Sequence, residues 1–215
     1  MRHALVVSGL GRCGSSLVMQ MLDAAGVLCF GSWPSFEGSC AEAFLRNGMS
    51  PALWKDAQGC ALKALVAEPR PIAPAPPGSV VIWLRRDPRE QARSQAKFAS
   101  FLLGLPRTPG HAALRRWARD LERDQRAAID RWRASGAEVR SITYEELIGD
   151  PRATALRLCQ VGRFGFTGAT VEAMAACVRK TDARCAPDVG MELTLLAERQ
   201  VRATRATLSR NEPAA

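Results

Sequence analysis

Residues 4–16 run ALVVSGLGRCGSS, and this junction leaves few folds open. Ala4-Leu5-Val6-Val7 is a short continuous apolar run rich in β-branched residues, the signature of a strand buried on both faces. Gly9, Gly11 and Gly14 interrupt it, and from Ser16 the pattern changes period. Leu17, Met21, Leu22 and Ala25 recur at helical spacing until Gly26 offers a stop. A strand, a glycine loop and a helix in immediate succession predict an α/β unit. The opening Met1-Arg2 and the apolar run do not read as a secretion signal, because glycines and Arg12 cut the run short.

The alternation continues. Ala61 to Val66 reads as a strand around Lys63, Ser79 to Leu84 as the clearest strand in the chain, and Val139 to Thr143 as another. Asp87 and Pro88 form a cap and first turn for a helix from about Arg89. After His111, Leu114, Trp117, Leu121, Gln125, Ala128, Ile129 and Trp132 describe one mostly apolar helix face, ended by Gly136. Asp150-Pro151 begins a further helix, and the remainder reads as helical. Phe30 to Gly59 reads as a long irregular loop, and Glu68 to Gly78 as an extended proline-rich connector. The expectation is an α/β fold with a parallel β-sheet covered by helices on both faces. At 215 residues the chain reads as one domain over 1–215, with motifs within about 4–160 and a helical part over about 165–210.

The net charge of +9 asks for an anionic partner, but 26 of the 30 basic side chains are arginine in an alanine-rich chain. Such a skew also follows from a GC-rich genome, so most of the charge reads as solvated surface. The seven cysteines show neither a C-x-x-C pair nor a Cys/His spacing suited to zinc. They read as reduced thiols, which fits a cytoplasmic protein and no metal. No apolar stretch is long enough for a membrane span.

Two stretches carry anion chemistry. In Gly9-Leu10-Gly11-Arg12-Cys13-Gly14-Ser15-Ser16, glycines let successive amides converge on one anion while the helix start adds positive potential. The spacing approaches the nucleoside-triphosphate loop, but Ser15 stands where that loop has its lysine, and Arg12 is the cation instead. The second stretch, Arg86-Asp87-Pro88-Arg89-Glu90-Gln91-Ala92-Arg93-Ser94, follows the clearest strand. Arg86 offers a planar fork and Ser94 a hydroxyl for a second phosphate, at the strand edge where open α/β sheets bind ligands.

With these residues the chain resembles the sulfotransferases, particularly the carbohydrate and bacterial members. Strand, G-x-G-R-C-G-S-S and helix resemble that family's 5′-phosphosulfate loop. R-D-P-R-x-x-x-x-S is similar to its 3′-phosphate motif, and Tyr144-Glu145-Glu146-Leu147-Ile148-Gly149-Asp150-Pro151 to its Y-E-x-L-x-x-D-P segment. The resemblance spans roughly residues 5–160; the family's C-terminal R-K-G is missing, with Arg179-Lys180-Thr181 a weak stand-in. It implies a P-loop nucleotide-hydrolase-like architecture and sulfuryl transfer from 3′-phosphoadenosine 5′-phosphosulfate (PAPS), without metal. The acceptor would be a hydroxyl or amine of a small molecule or carbohydrate. Gly11, Arg12, Cys13, Gly14, Ser15 and Ser16 would hold the 5′ end, with Arg12 also catalytic, and Arg86 and Ser94 the 3′-phosphate.

Glu37, in Trp33-Pro34-Ser35-Phe36-Glu37-Gly38, is similarly placed to the base glutamate of some bacterial members. Between Phe36 and Gly38 it is expected to be partly desolvated, which tunes a carboxylate toward proton transfer; an ordinary loop carboxylate is the competing reading. His3 precedes the first strand, at the wrong end of the sheet for the task, and for His111, which begins a helix, decoration of the helix start is an equal reading. Lys63 could face the core rim or the active site, and reads first as a strand-end lysine that snorkels; Cys13 reads as a small side chain the loop tolerates, and Tyr144 and Glu145 as buttresses. The acceptor is expected against Phe30–Gly59 and the loop near Leu103–His111. Two other classes stay open: a nucleotide or small-molecule kinase with a divergent phosphate loop, and a nucleic-acid binder using its arginines. The kinase would want a lysine after Gly14, and the nucleic-acid binder interleaved aromatics that a chain with one tyrosine lacks.

Overall fold

The structure, a computed structural model, describes residues 3–67, 69–102 and 109–178. Four strands, β1 (Leu5–Gly9), β2 (Ala61–Leu65), β3 (Val80–Arg85) and β4 (Glu138–Thr143), form one sheet in the order β2-β1-β3-β4. Every pairing is parallel, with Val7 opposite Lys63 on one side and Ile82 on the other. Parallel pairing puts the C-terminal ends of all four strands on one edge. The chain leaves β1 toward opposite sides to form β2 and β3, so the crevice at that edge is a topological switch point.

Eight helices complete the described residues: α1 (Ser15–Ala24), α2 (Ser39–Asn47), α3 (Pro51–Asp56), α4 (Pro88–Leu102), α5 (His111–Ala134), α6 (Tyr144–Gly149), α7 (Pro151–Gly162) and α8 (Gly168–Ala176). They cover both faces, as alternation of strand and helix predicts. Leu5, Val7, Ile82 and Leu84 face a cluster with Met19, Leu22 and Leu158; Val6, Val81 and Trp83 face one with Trp54, Leu121 and Trp132. Among the described residues, no helix is long and apolar enough to cross a membrane.

Two caps follow the sequence reading closely. Asp87 Oδ1 accepts the amides of Arg89 and Glu90 at 3.0 and 2.9 Å, and Asp150 caps α7 through the Ala153 amide. At α6, Thr143 and Glu146 form a reciprocal capping box. Those bonds to Thr143 hold the Glu146 carboxyl below its ordinary range.

The expected irregular loop over Phe30–Gly59 is a correction: it contains α2 and α3. Ala41, Phe44 and Leu45 bury one side of α2. Ser50 caps α3 by accepting the Leu53 amide, and Pro51 fills its first turn. Gly, Ser and Trp flank these short helices and hide their periodicity. The loop expected near Leu103–His111 falls largely outside the described residues, as do Arg179-Lys180-Thr181 and the rest of the expected helical C-terminal part.

On the α5 side, the fully buried Trp132 stacks on Phe44 at 5.7 Å and meets Trp54 edge-on at 5.9 Å. One indole therefore ties α5 to both corrected helices. Trp132→Ala is expected to lower unfolding free energy by about 3–5 kcal/mol, measured by denaturant titration; a change within experimental error would show that α2 and α3 do not depend on this contact.

Candidate functional site

The glycine loop leaves β1 at the switch point. Gly14 caps α1 with φ +95°, and a Cβ there would come within 2.9 Å of the Tyr144 ring, so conformation and space both demand glycine. Arg12 also adopts a left-handed backbone, with φ 67°. A non-glycine residue in that region is uncommon and marks a loop shaped for something other than local comfort. The first amides of α1 have no acceptor within the helix and form the electropositive end of the loop.

α4 runs past this loop and fixes its carbonyls. Gln91 Nε2 donates to Leu10 O at 3.0 Å and Gly11 O at 2.9 Å, and Gln95 Nε2 donates to Gly11 O at 2.5 Å. Both glutamines are buried. Carbonyl oxygens drawn toward α4 leave the following amides free to face the other way. Sequence reading passed over these two residues. The available signal was polar side chains at i and i+4 beside Ala92 and Ala96, on what would otherwise be an apolar face.

Arg12 and Arg86 meet at this edge. Arg86 Nη1 donates to Arg12 O at 3.2 Å. Arg12 lies over the Phe98 ring at 4.9 Å and Arg86 over the Tyr144 ring at 4.4 Å. Each has a buried Nε with no hydrogen-bond partner. Two donors left unpaired in a half-buried crevice are costly unless an anion takes them. Ser94 lies three residues after Gln91, on the same side of α4, and is half-buried. Glu145 accepts the Asp87 amide at 3.1 Å, so Tyr144 and Glu145 buttress the site itself as well as the fold.

Glu37 reaches the same region from the other side of α1. Ser32 and Glu37 pair across a tight loop, Phe36 is buried at its base, and Gln20 of α1 holds Pro34 O at 2.8 Å. The Glu37 side chain is 2% exposed, although its backbone lies nearer the surface. Its neighbour is not the apolar wall expected from Phe36 and Gly38. It is ion-paired with Lys63.

Lys63 also departs from expectation. It does not snorkel: its side chain is 1% exposed. On β2 it occupies the inward position between Ala61 and Leu65, and Nζ donates to Ser16 Oγ at 3.0 Å, Ser35 O at 2.9 Å and the Glu37 carboxylate. A lone cation in an apolar alternation was the signal, since a charge there needs a buried partner. The ammonium that the glycine loop lacks after Gly14 thus reaches the start of α1 from the neighbouring strand.

The other candidates separate from this centre. His3 bonds Gly162 O at 2.8 Å before β1, at the opposite edge, and His111 is exposed at the start of α5. Cys13 is fully buried, and desolvation pushes its thiol up to about 11. Iodoacetamide at pH 8 is therefore expected to leave Cys13 unmodified in the native protein, read by peptide mass mapping; rapid native-state alkylation would contradict its burial.

Residues 66–163 match the model of the sulfotransferase family. The match contains β3 through α7 and so includes Arg86, Ser94, Phe98 and Tyr144, while the glycine loop, Glu37 and Lys63 lie before it. No curated protein matches the chain by sequence. In structure the chain is similar to mouse sulfotransferase SULT7A1, solved with PAP, at 13% identity and TM-score 0.54, covering 86% of this chain and 68% of that one. A sulfotransferase from Alicyclobacillus acidocaldarius is 17% identical over 97% of this chain and 96% of its own, with TM-score 0.45. The family match thus covers residues 66–163, somewhat under half of the chain, and the fold around it is similar to that of mouse sulfotransferase SULT7A1.

Proposed function

We propose that the chain transfers a sulfuryl group from PAPS to a hydroxyl or amine of a small-molecule or carbohydrate acceptor. The observation that carries this reading is the arginine pair at the β1/β3 edge, each member with an unpartnered buried Nε. Two anion sites on successive strand ends suit a nucleotide with phosphates on both its 3′ and 5′ positions better than one linear triphosphate. The PAP in the SULT7A1 structure supports the same ligand class.

On this reading the amides of Cys13, Gly14, Ser15 and Ser16, with Arg12, hold the 5′ phosphosulfate, and Gly11 lets the backbone approach it. Arg86 and Ser94 hold the 3′-phosphate. The donor supplies the sulfuryl group and departs as the bisphosphate. Arg12, Lys63 and the loop amides stabilise the charge that gathers on the bridging oxygen as its bond to sulfur breaks. As the acceptor oxygen or nitrogen bonds to sulfur, Glu37 takes its proton. Lys63 and Ser16 tie that carboxylate to the start of α1, so base and phosphate loop share one rigid support. The reduced thiols of Cys13, Cys29, Cys40 and Cys159 support a reducing, cytosolic setting.

Two measurements test the reading. Metal-free calorimetric titration is expected to show binding of adenosine 3′,5′-bisphosphate in preference to ATP or an oligonucleotide; tight ATP binding with no response to the bisphosphate would overturn it. Glu37→Gln keeps an acceptor for Lys63 but removes the base. It is expected to lower turnover at least ~100-fold while bisphosphate affinity stays near wild type, and near-normal turnover would remove Glu37 from the role.

A further inference from the structure

We propose that Phe98 and Tyr144 are positioning residues, each aiming one arginine at one end of the donor nucleotide and so dividing its recognition between two aromatic supports. The inference rests on the reading of the crevice as a site for a 3′,5′-substituted nucleotide. Three observations carry it. Each arginine has one ring behind its guanidinium, Phe98 for Arg12 and Tyr144 for Arg86, at 4.9 and 4.4 Å. Both guanidinium groups keep a buried, unpartnered Nε. Neither arginine has an ion pair among the described residues.

A guanidinium is planar and donates only in its plane. A ring on one face attracts the cation and shields that face without using any of the N–H groups at the edge. A carboxylate partner would hold the arginine equally well but would occupy the donors that an incoming anion needs. Aromatic support therefore orients a cation without neutralising it. The two rings come from different elements: Phe98 is on α4, three residues beyond the Gln95 clamp, and Tyr144 opens α6. Tyr144 also packs on Gly14, which brings it against the glycine loop while its ring supports the arginine after β3. The division of labour is consequently testable, because each ring serves a different phosphate.

Full-length protein is titrated with adenosine 3′,5′-bisphosphate and with adenosine 5′-monophosphate, both metal-free, and each variant's fold is checked by thermal unfolding. Tyr144→Leu is expected to weaken bisphosphate binding about tenfold, toward the 5′-monophosphate level, while leaving 5′-monophosphate affinity near wild type. Tyr144→Phe, which keeps the ring, is expected to behave as wild type. Phe98→Leu is expected to weaken both ligands alike, and Phe98→Tyr to restore both. If Tyr144→Leu unfolds, Tyr144→Met and Arg86→Lys give the same selective loss, the second because an ammonium cannot stack as a plane. Equal loss of both ligands in Tyr144→Leu, or no loss in any ring-removing variant, overturns the proposal. Wild-type protein that fails to prefer the bisphosphate over the 5′-monophosphate overturns instead the reading of the site on which it rests.

Discussion

The structure depends on one constraint: β1 is buried on both faces and paired on both edges. Leu5 and Val7 need one helical layer, and Val6 needs the other. Parallel partners on either side then force crossover helices and bring four strand ends to a single edge. The glycine loop, the arginine after β3 and the turn into α6 meet there because they each follow one of those strands. Their proximity is a property of the topology, not of separate attractions among the loops.

Charge within this frame falls into two populations. Surface arginines pair with nearby acids, as Arg123 does with Asp120 and Arg46 with Glu42, at separations of three or four residues. Such exposed pairs add little stability. Arg12 and Arg86 instead rest on rings with donors to spare. Lys63 is different again, a fully buried cation held by a carboxylate, a hydroxyl and a carbonyl. Burying that pair is costly in itself, and its effect is positional: it locks the Glu37 loop to the start of α1. The formal charge of +9 therefore says little about partners until the few cations in the crevice are separated from the rest.

What was legible in the sequence follows from range. β1, β3 and β4, the long amphipathic α5, and the caps at Asp87 and Asp150 are local patterns of a few residues, and local physics decides them. The placement of the glycine stretch and of the Arg86 stretch after strands was legible for the same reason, each being contiguous with a strand pattern. α2 and α3 were not, because their helical stripes are short and bordered by glycine, proline and tryptophan. The partners of Lys63 were hidden by distance along the chain, 26 residues to Glu37 and 47 to Ser16. Gln91 and Gln95 were passed over because the loop carbonyls they hold lie 80 to 84 residues away along the chain. Tyr144 read as a buttress and Phe98 carried no signal, since nothing in their spacing says that a guanidinium lies on the ring.

The most direct test is a crystal structure with adenosine 3′,5′-bisphosphate bound. The predicted result has the 5′-phosphate on the Cys13–Ser16 amides and Arg12, and the 3′-phosphate bonded to Arg86 and Ser94. A nucleotide with its 3′-phosphate in solvent, or seated away from the β1/β3 edge, would contradict the account.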